Sequence, residues 1–264
     1  MKIAITGKGG AGKSTLAAML SLLAAKDGRK VLAVDADPDA NLADALGIPR
    51  LEQRRVVTLA RHRELVEERT GAKVKEFGQM FKLNPEVADI ADKYAYPFRG
   101  VDLLVLGAVE GGGSGCACPE STLLRALIQN LVLYRQEAVI LDMEAGIEHL
   151  GRATARGVDA FIAVVEPGQR SISTLHRIDA MAKEIGINRV LVVGNKVRTP
   201  EDQAFFSEVL AGRELVGIIP YSVLLGRNDR DGISVEDGLD EPLRGCFQEI
   251  FARIVARISP PKNP

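Results

Sequence analysis

The sequence contains only three cysteines, Cys116, Cys118 and Cys246, too few for a disulfide framework. It has no excess of either charge: lysine and arginine number 34, aspartate and glutamate 35, and the formal net charge is −1. No global field therefore favours nucleic acid or an anionic membrane, and neither is expected as a partner. No run approaches the roughly 18 apolar residues that crossing a bilayer requires. The opening MKIAITGKGG runs straight into a strand and a glycine loop, without the charged and then apolar regions of a secretory signal. A cytoplasmic location is the expectation. Internal repeats and low-complexity tracts are also missing.

What is present is the balance of an ordinary globule, 46% hydrophobic and 26% charged over 264 residues. One domain spanning 1–264 is expected. Short β-rich apolar runs alternate with helical patterns, which points to an α/β fold with a doubly wound, mainly parallel sheet flanked by helices. Expected strands are Lys2–Thr6, Lys30–Asp35, Leu103–Gly107, Ala138–Asp142, Ala160–Val165, Val190–Asn195 and Val216–Pro220. Runs such as VILD, FIAVV and VLVV are continuously apolar, as strands covered on both faces are. Expected helices are Gly12–Lys26, Glu120–Tyr134, Ile172–Ile185 and about Pro242–Ile258. Residues 50–100 form an irregular insertion, with a charged helix near Val57–Arg69 and a small hairpin. The last helix carries Phe247, Ile250, Phe251, Ile254, Val255 and Ile258 on one face, which packs on the sheet or, alternatively, lies on a membrane. The tail SPPKNP is expected to fray.

Residues 7–15, GKGGAGKST, fit G-x-x-x-x-G-K-[ST] between a strand and a helix, the context that makes this motif a phosphate loop. Its glycines let the backbone curl so that successive N–H groups face phosphate oxygens, and the following helix adds its positive end. Gly9, Gly10, Ala11, Gly12, Lys13, Ser14 and Thr15 are the expected cradle. Lys13 reaches the β- and γ-phosphates, and Ser14 ligates Mg²⁺. The strand AVILD ends at Asp142, and Gly146 follows in DMEAG. This D-x-x-x-G pattern assigns Asp142 to the Mg²⁺ shell and the Gly146 N–H to the γ-phosphate.

Lys8, directly after the first glycine, makes the loop resemble the deviant Walker A signature of the Min/Par ATPases and the nitrogenase iron protein. The resemblance implies a homodimer that sandwiches two ATP molecules, with Lys8 reaching the partner's nucleotide as an arginine finger does. It implies that Asp37, in VDADPDAN, is the first-switch aspartate near Mg²⁺ and the attacking water, and that Asp35 helps the metal shell. Asp39 is expected to be solvated or to cap a helix. By the same resemblance Asn195 and Lys196 read the base, while Pro220 and Tyr221 flank it. Arg198 stands where a guanine-reading aspartate would be, so ATP is favoured.

GGGSGCACPE, residues 111–120, is the most specific remaining feature. Glycines deny it regular structure, and Pro119 suits the first position of a helix. Cys116 and Cys118 thus lie at a helix N-terminus that favours thiolate. Two thiolates are half of a four-ligand set, and a two-fold axis would supply the other two. The alternatives are incidental thiols or a redox pair.

GKGGAGKST, DADPDAN, C-x-C-P-E, DMEAGIEHLGR, VVEPG and NKV together resemble the nickel-insertion accessory ATPases of carbon monoxide dehydrogenase maturation. That resemblance implies Ni²⁺ or Zn²⁺ shared between two C-x-C pairs, and apo carbon monoxide dehydrogenase as client. A maturation ATPase for acetyl-CoA synthase and a Min/Par-type positioning ATPase are the alternatives. The nitrogenase iron protein has a cluster-binding cysteine in its second switch, where this chain reads Met143, Glu144 and Ala145. A cluster on the two C-x-C pairs stays open. His149, after the second switch, is a metal ligand or, more ordinarily, a hydrogen-bonded helix residue.

Overall fold

The apolar runs pair into an eight-stranded sheet in the order β3-β4-β2-β5-β1-β6-β7-β8. A computed structural model describes residues 1–73, 79–107, 119–144 and 157–258. The strands are β1 (Lys2–Gly7), β2 (Val31–Asp35), β3 (Tyr96–Phe98), β4 (Val101–Val105), β5 (Ala138–Asp142), β6 (Ala160–Val165), β7 (Val190–Val197) and β8 (Glu214–Pro220). All pairings are parallel except β3 with β4. Every residue of β2, β5 and β6 is buried, because helices cover both faces, as their unbroken apolar sequences require.

The helices among the described residues are α1 (Lys13–Lys26), α2 (Leu42–Leu46), α3 (Arg50–Gln53), α4 (Arg63–Thr70), α5 (Ile90–Tyr94), α6 (Pro119–Tyr134), α7 (Gln169–Ile185), α8 (Pro200–Val209), α9 (Val223–Asp231) and α10 (Glu241–Ile258). One core layer packs α4, α6, α7 and α8 on one sheet face, through Leu65, Leu127, Leu175 and Phe206. The other packs α1, α2 and α10 on the opposite face, through Leu16, Leu42, Phe247 and Ile254. Alternate strand residues divide between the layers: Ile3 and Ile5 serve one, Ala4 the other. The C-terminal helix therefore lies on the sheet, with Phe247, Ile250 and Ile254 at most 1% exposed. No described helix is long and apolar enough to cross a membrane.

The insertion differs from expectation in detail. The charged stretch splits into a 3₁₀ turn, Leu59–Arg61, and α4. His62 stands between them outside helical geometry and its Nδ1 accepts the Leu65 N–H at 3.2 Å, so it caps α4 and ends continuity. The hairpin is real and adds an edge strand. Arg99 (φ 49°) and Gly100 (φ 80°) turn the chain between β3 and β4, the positive-φ pair that a two-residue hairpin needs. Five of the helices, α2, α3, α5, α8 and α9, are not in the sequence reading, although the caps of the last two are written in it. Thr199 and Asp202 form a capping box at α8, and the Ser222 hydroxyl accepts two N–H bonds at the start of α9.

Candidate nucleotide site

Parallel strands deliver their carboxyl ends to one edge, and ligands bind there where the strand order reverses. In this sheet β1 sits between β5 and β6, so the loop after β1 opens at the centre of that edge. A cleft of about 560 Å³ lies along it. Its walls bring together Gly9, Gly10, Gly12, Lys13, Ser14, Thr15, Asp37, Asn195, Lys196, Pro220 and Tyr221, which are most of the residues singled out from the sequence. Ala11 is fully buried behind the loop. Lys8 is half-buried and does not line the cleft. Gly146, His149, Cys116 and Cys118 lie outside the described residues. The reading missed Ser222, Leu225, Gly226 and Asp229 of the cleft wall, because α9 itself went unrecognised. Asn41 and the exposed Asp39 complete the rim.

The phosphate loop is braced from the far side by β7. Asn195 donates its amide N–H to the Ala11 carbonyl at 2.7 Å and accepts the Lys196 N–H at 2.9 Å. Gly12 makes room for it: a Cβ there would stand 2.3 Å from Asn195 Nδ2, and φ is 98°. Lys196 sits in the left-handed region at φ 59°, a conformation that costs a non-glycine residue about 1 kcal/mol or more. Its ammonium reaches the Gly10 carbonyl at 2.5 Å and Glu166 at 2.6 Å. Both residues expected at the base thus also hold the loop in shape.

Beneath the loop three carboxylates converge. Asp35 and Asp142 end adjacent strands in direct register, both fully buried. Asp37 pairs with the buried Lys13 ammonium at 3.4 Å. Asp35 accepts the N–H of Leu42 at 2.9 Å and of Asp37 at 3.3 Å, so it caps α2 from a neighbouring strand and fixes the segment that carries Asp37. Loss of water pushes Asp35 up to about 7, with the Asp142 charge adding to the rise. Asp142 rises to about 6 for the same first reason, although the nearby Ser14 hydroxyl and Lys13 pull it down.

Neither oxygen of Asp142 meets a hydrogen-bond donor at full bonding geometry among the described residues. An orphaned, buried carboxylate beside a serine hydroxyl is the hard-oxygen donor set that Mg²⁺ takes, so the residues present fit the metal expected from the sequence. Among the described residues no group of three or more histidine, cysteine or acidic side chains gathers closely enough to hold a metal ion by itself, so a serine hydroxyl and the phosphates would have to complete the Mg²⁺ shell.

A family model described as the CobQ/CobB/MinD/ParA nucleotide binding domain matches residues 2–235. The chain belongs to this family. It is similar to the carbon monoxide dehydrogenase accessory protein CooC of Rhodospirillum rubrum, 40% identical over 98% of both chains. It is also 46% identical to an uncharacterised ATP-binding protein of Methanocaldococcus jannaschii, over 97% of this chain and 98% of that one. Among solved structures, MinD in the Aquifex aeolicus MinC:MinD cell division complex superposes with a TM-score of 0.70 at 19% identity, covering 100% of this chain and 99% of that one. A likeness at that identity establishes the fold. Family membership and a phosphate loop set in this geometry make the chain a deviant Walker A ATPase.

Proposed function

We propose that the chain is an ATP-dependent nickel metallochaperone that loads carbon monoxide dehydrogenase, working as a homodimer with the metal held between two C-x-C pairs. The observation that carries this reading is the near full-length similarity to the CooC accessory protein. Connectivity supports it: the segment with Cys116 and Cys118 joins the carboxyl end of β4 to Pro119, the first residue of α6. It therefore departs from the same sheet edge as the phosphate loop, and γ-phosphate and metal loop share one scaffold.

In the proposed cycle the Lys13 ammonium and the loop N–H groups bind the β- and γ-phosphates. Ser14 and Asp142 would hold Mg²⁺, which would neutralise phosphate charge. Asp37 accepts a hydrogen bond from the attacking water. Lys8 crosses to the partner's nucleotide, in keeping with a side chain that does not line its own cleft. The Gly146 N–H contacts the γ-phosphate and reports its loss to the second switch. ATP binding closes the dimer and brings the four thiolates together, and hydrolysis loosens them for transfer.

Titration of Ni²⁺ into reduced, nucleotide-free protein, followed by thiolate charge-transfer absorption and size-exclusion chromatography, tests this. One nickel per two chains, with absorption and dimer both lost in Cys116→Ser, is the expected result. No metal-linked absorption, or a mutant indistinguishable from the parent, returns the chain to a Min/Par-type positioning ATPase. Nickel transfer to apo acetyl-CoA synthase in preference to apo carbon monoxide dehydrogenase reassigns the client.

A further inference from the structure

Where β7 and β8 end, their last residues are locked together. The Tyr221 N–H donates to the Val197 carbonyl at 2.8 Å, and the Arg198 N–H donates to Asp202 Oδ2 at 2.8 Å at the cap of α8. With both backbones fixed, the Arg198 guanidinium lies over the Tyr221 ring, its central carbon 3.8 Å from the ring centroid. Among the described residues no carboxylate forms an ion pair with that guanidinium. Its partner is the ring. Tyr221 lines the cleft opposite the phosphate loop, and 45% of it is exposed. One side of a half-open aromatic ring is thus clamped by a cation while the residue faces the cleft.

We infer that Arg198 is a positioning residue for the nucleotide base, acting through the Tyr221 ring. By holding the Tyr221 ring it makes a fixed wall for a flat purine, while its own side chain does not line the cleft. This inference rests on the cleft being the nucleotide site.

The test compares parent, Arg198→Ala, Arg198→Lys, Tyr221→Leu and the Arg198/Tyr221 double variant. Readouts are the Kd of ADP and of inorganic tripolyphosphate, and the kcat and KM for ATP. Arg198→Ala should raise the Kd of ADP and the KM for ATP about 2- to 10-fold, the size of a partly exposed cation–ring contact. It should leave the Kd of tripolyphosphate and kcat within error, and Arg198→Lys should fall between. The double variant should be no worse than Tyr221→Leu alone, because the arginine acts through the ring. An unchanged ADP Kd with intact tripolyphosphate binding overturns the role of Arg198 alone, as does an equal loss of ADP and tripolyphosphate in a variant that melts like the parent. A parent that binds neither ADP nor tripolyphosphate overturns the nucleotide site itself.

Discussion

The molecule treats its aspartates in two opposite ways. At the carboxyl edge of the sheet, Asp35 and Asp142 are stripped of water, face one another in register, and are pushed up to about 7 and about 6. On the outer surface, Asp89, Asp92 and Asp237 are held below the ordinary carboxylate range, each chiefly by an arginine: Arg69, Arg135 and Arg99. Every surface pair is a forked or near-forked contact at 2.8–3.0 Å. The difference is between stabilising a fold and holding a site ready. Surface acids have a forked ion pair of their own, whereas among the described residues neither member of the central pair forms an ion pair, and Lys13 beside Asp142 only partly offsets the loss of water. Charge left uncompensated in a buried place marks function here.

The largest way to break this comparison is to remove the buried cation at the edge, Lys13. Lys13→Ala should cut ATP hydrolysis by about 10²–10³-fold, the loss typical of a single preorganised group at the reacting centre, measured as phosphate release. Arginine loss at the surface, as in Arg69→Ala, should leave hydrolysis unaltered. Asp142→Asn should also abolish turnover, yet stabilise the nucleotide-free protein above pH 7 by about 1–3 kcal/mol, because it removes a buried charge whose pKa is raised. Asp89→Asn should shift stability the other way. If Asp142→Asn melts below the parent at pH 8, the edge acids are not strained.

Glycines at the two ends of α1 give the next contrast. Gly12→Ala must accommodate both a positive φ and a Cβ 2.3 Å from Asn195, so about 2–4 kcal/mol of stability and most nucleotide affinity should be lost. Gly28→Ala, at φ 79° with nothing within 4 Å of the added carbon, should cost only the backbone strain, about 1 kcal/mol, with nucleotide binding intact. Denaturant melts and ADP titration read the two effects separately.

The pH dependence follows from the signs. Asp35 and Asp142 hold their protons more tightly when folded, so their contribution is full below the unfolded value near 4 and is lost as pH rises toward about 7. The arginine-paired acids release theirs more readily when folded, so their contribution is present above pH 4 and is lost as pH falls below it. Nucleotide-free protein should therefore be most stable near pH 4–5 and soften toward neutrality, and Mg²⁺ with ADP should flatten the upper limb. A level melting profile from pH 5 to 7.5 without nucleotide would count against the edge assignment. The smallest expected effect is that of Arg99→Ala, which unpairs Asp237 on the surface and should cost less than about 1 kcal/mol, less still in high salt.

Much of this architecture was legible in the sequence. The phosphate loop could be read outright because its chemistry is local: glycines, a lysine and a serine within nine residues need no distant partner to declare themselves. The buried strands were legible for a related reason, since AVILD and AFIAVV are too continuously apolar to face water on either side. The ends of the elements were less so, and α9 was missed although Ser222 caps it, because a hydroxyl before nine residues with only Asn228 buried gives no periodic apolar signal. With α9 unseen, Leu225, Gly226 and Asp229 could not be placed at the cleft.

Asp35 shows the limit most clearly. From sequence it resembled a member of the metal shell; in the fold its oxygens accept backbone N–H groups of Leu42 and Asp37, so it also caps α2 and holds the segment that carries Asp37. Asn195 and Lys196 likewise brace a loop more than 180 residues away along the chain. The sequence by itself determined the sheet, the phosphate loop and the identity of the charged strand ends, because periodicity and glycine geometry act over a few residues. Only the tertiary structure decided which of those charges face one another, which are unpaired and what holds Tyr221, because the strand order brings together residues that no local pattern connects.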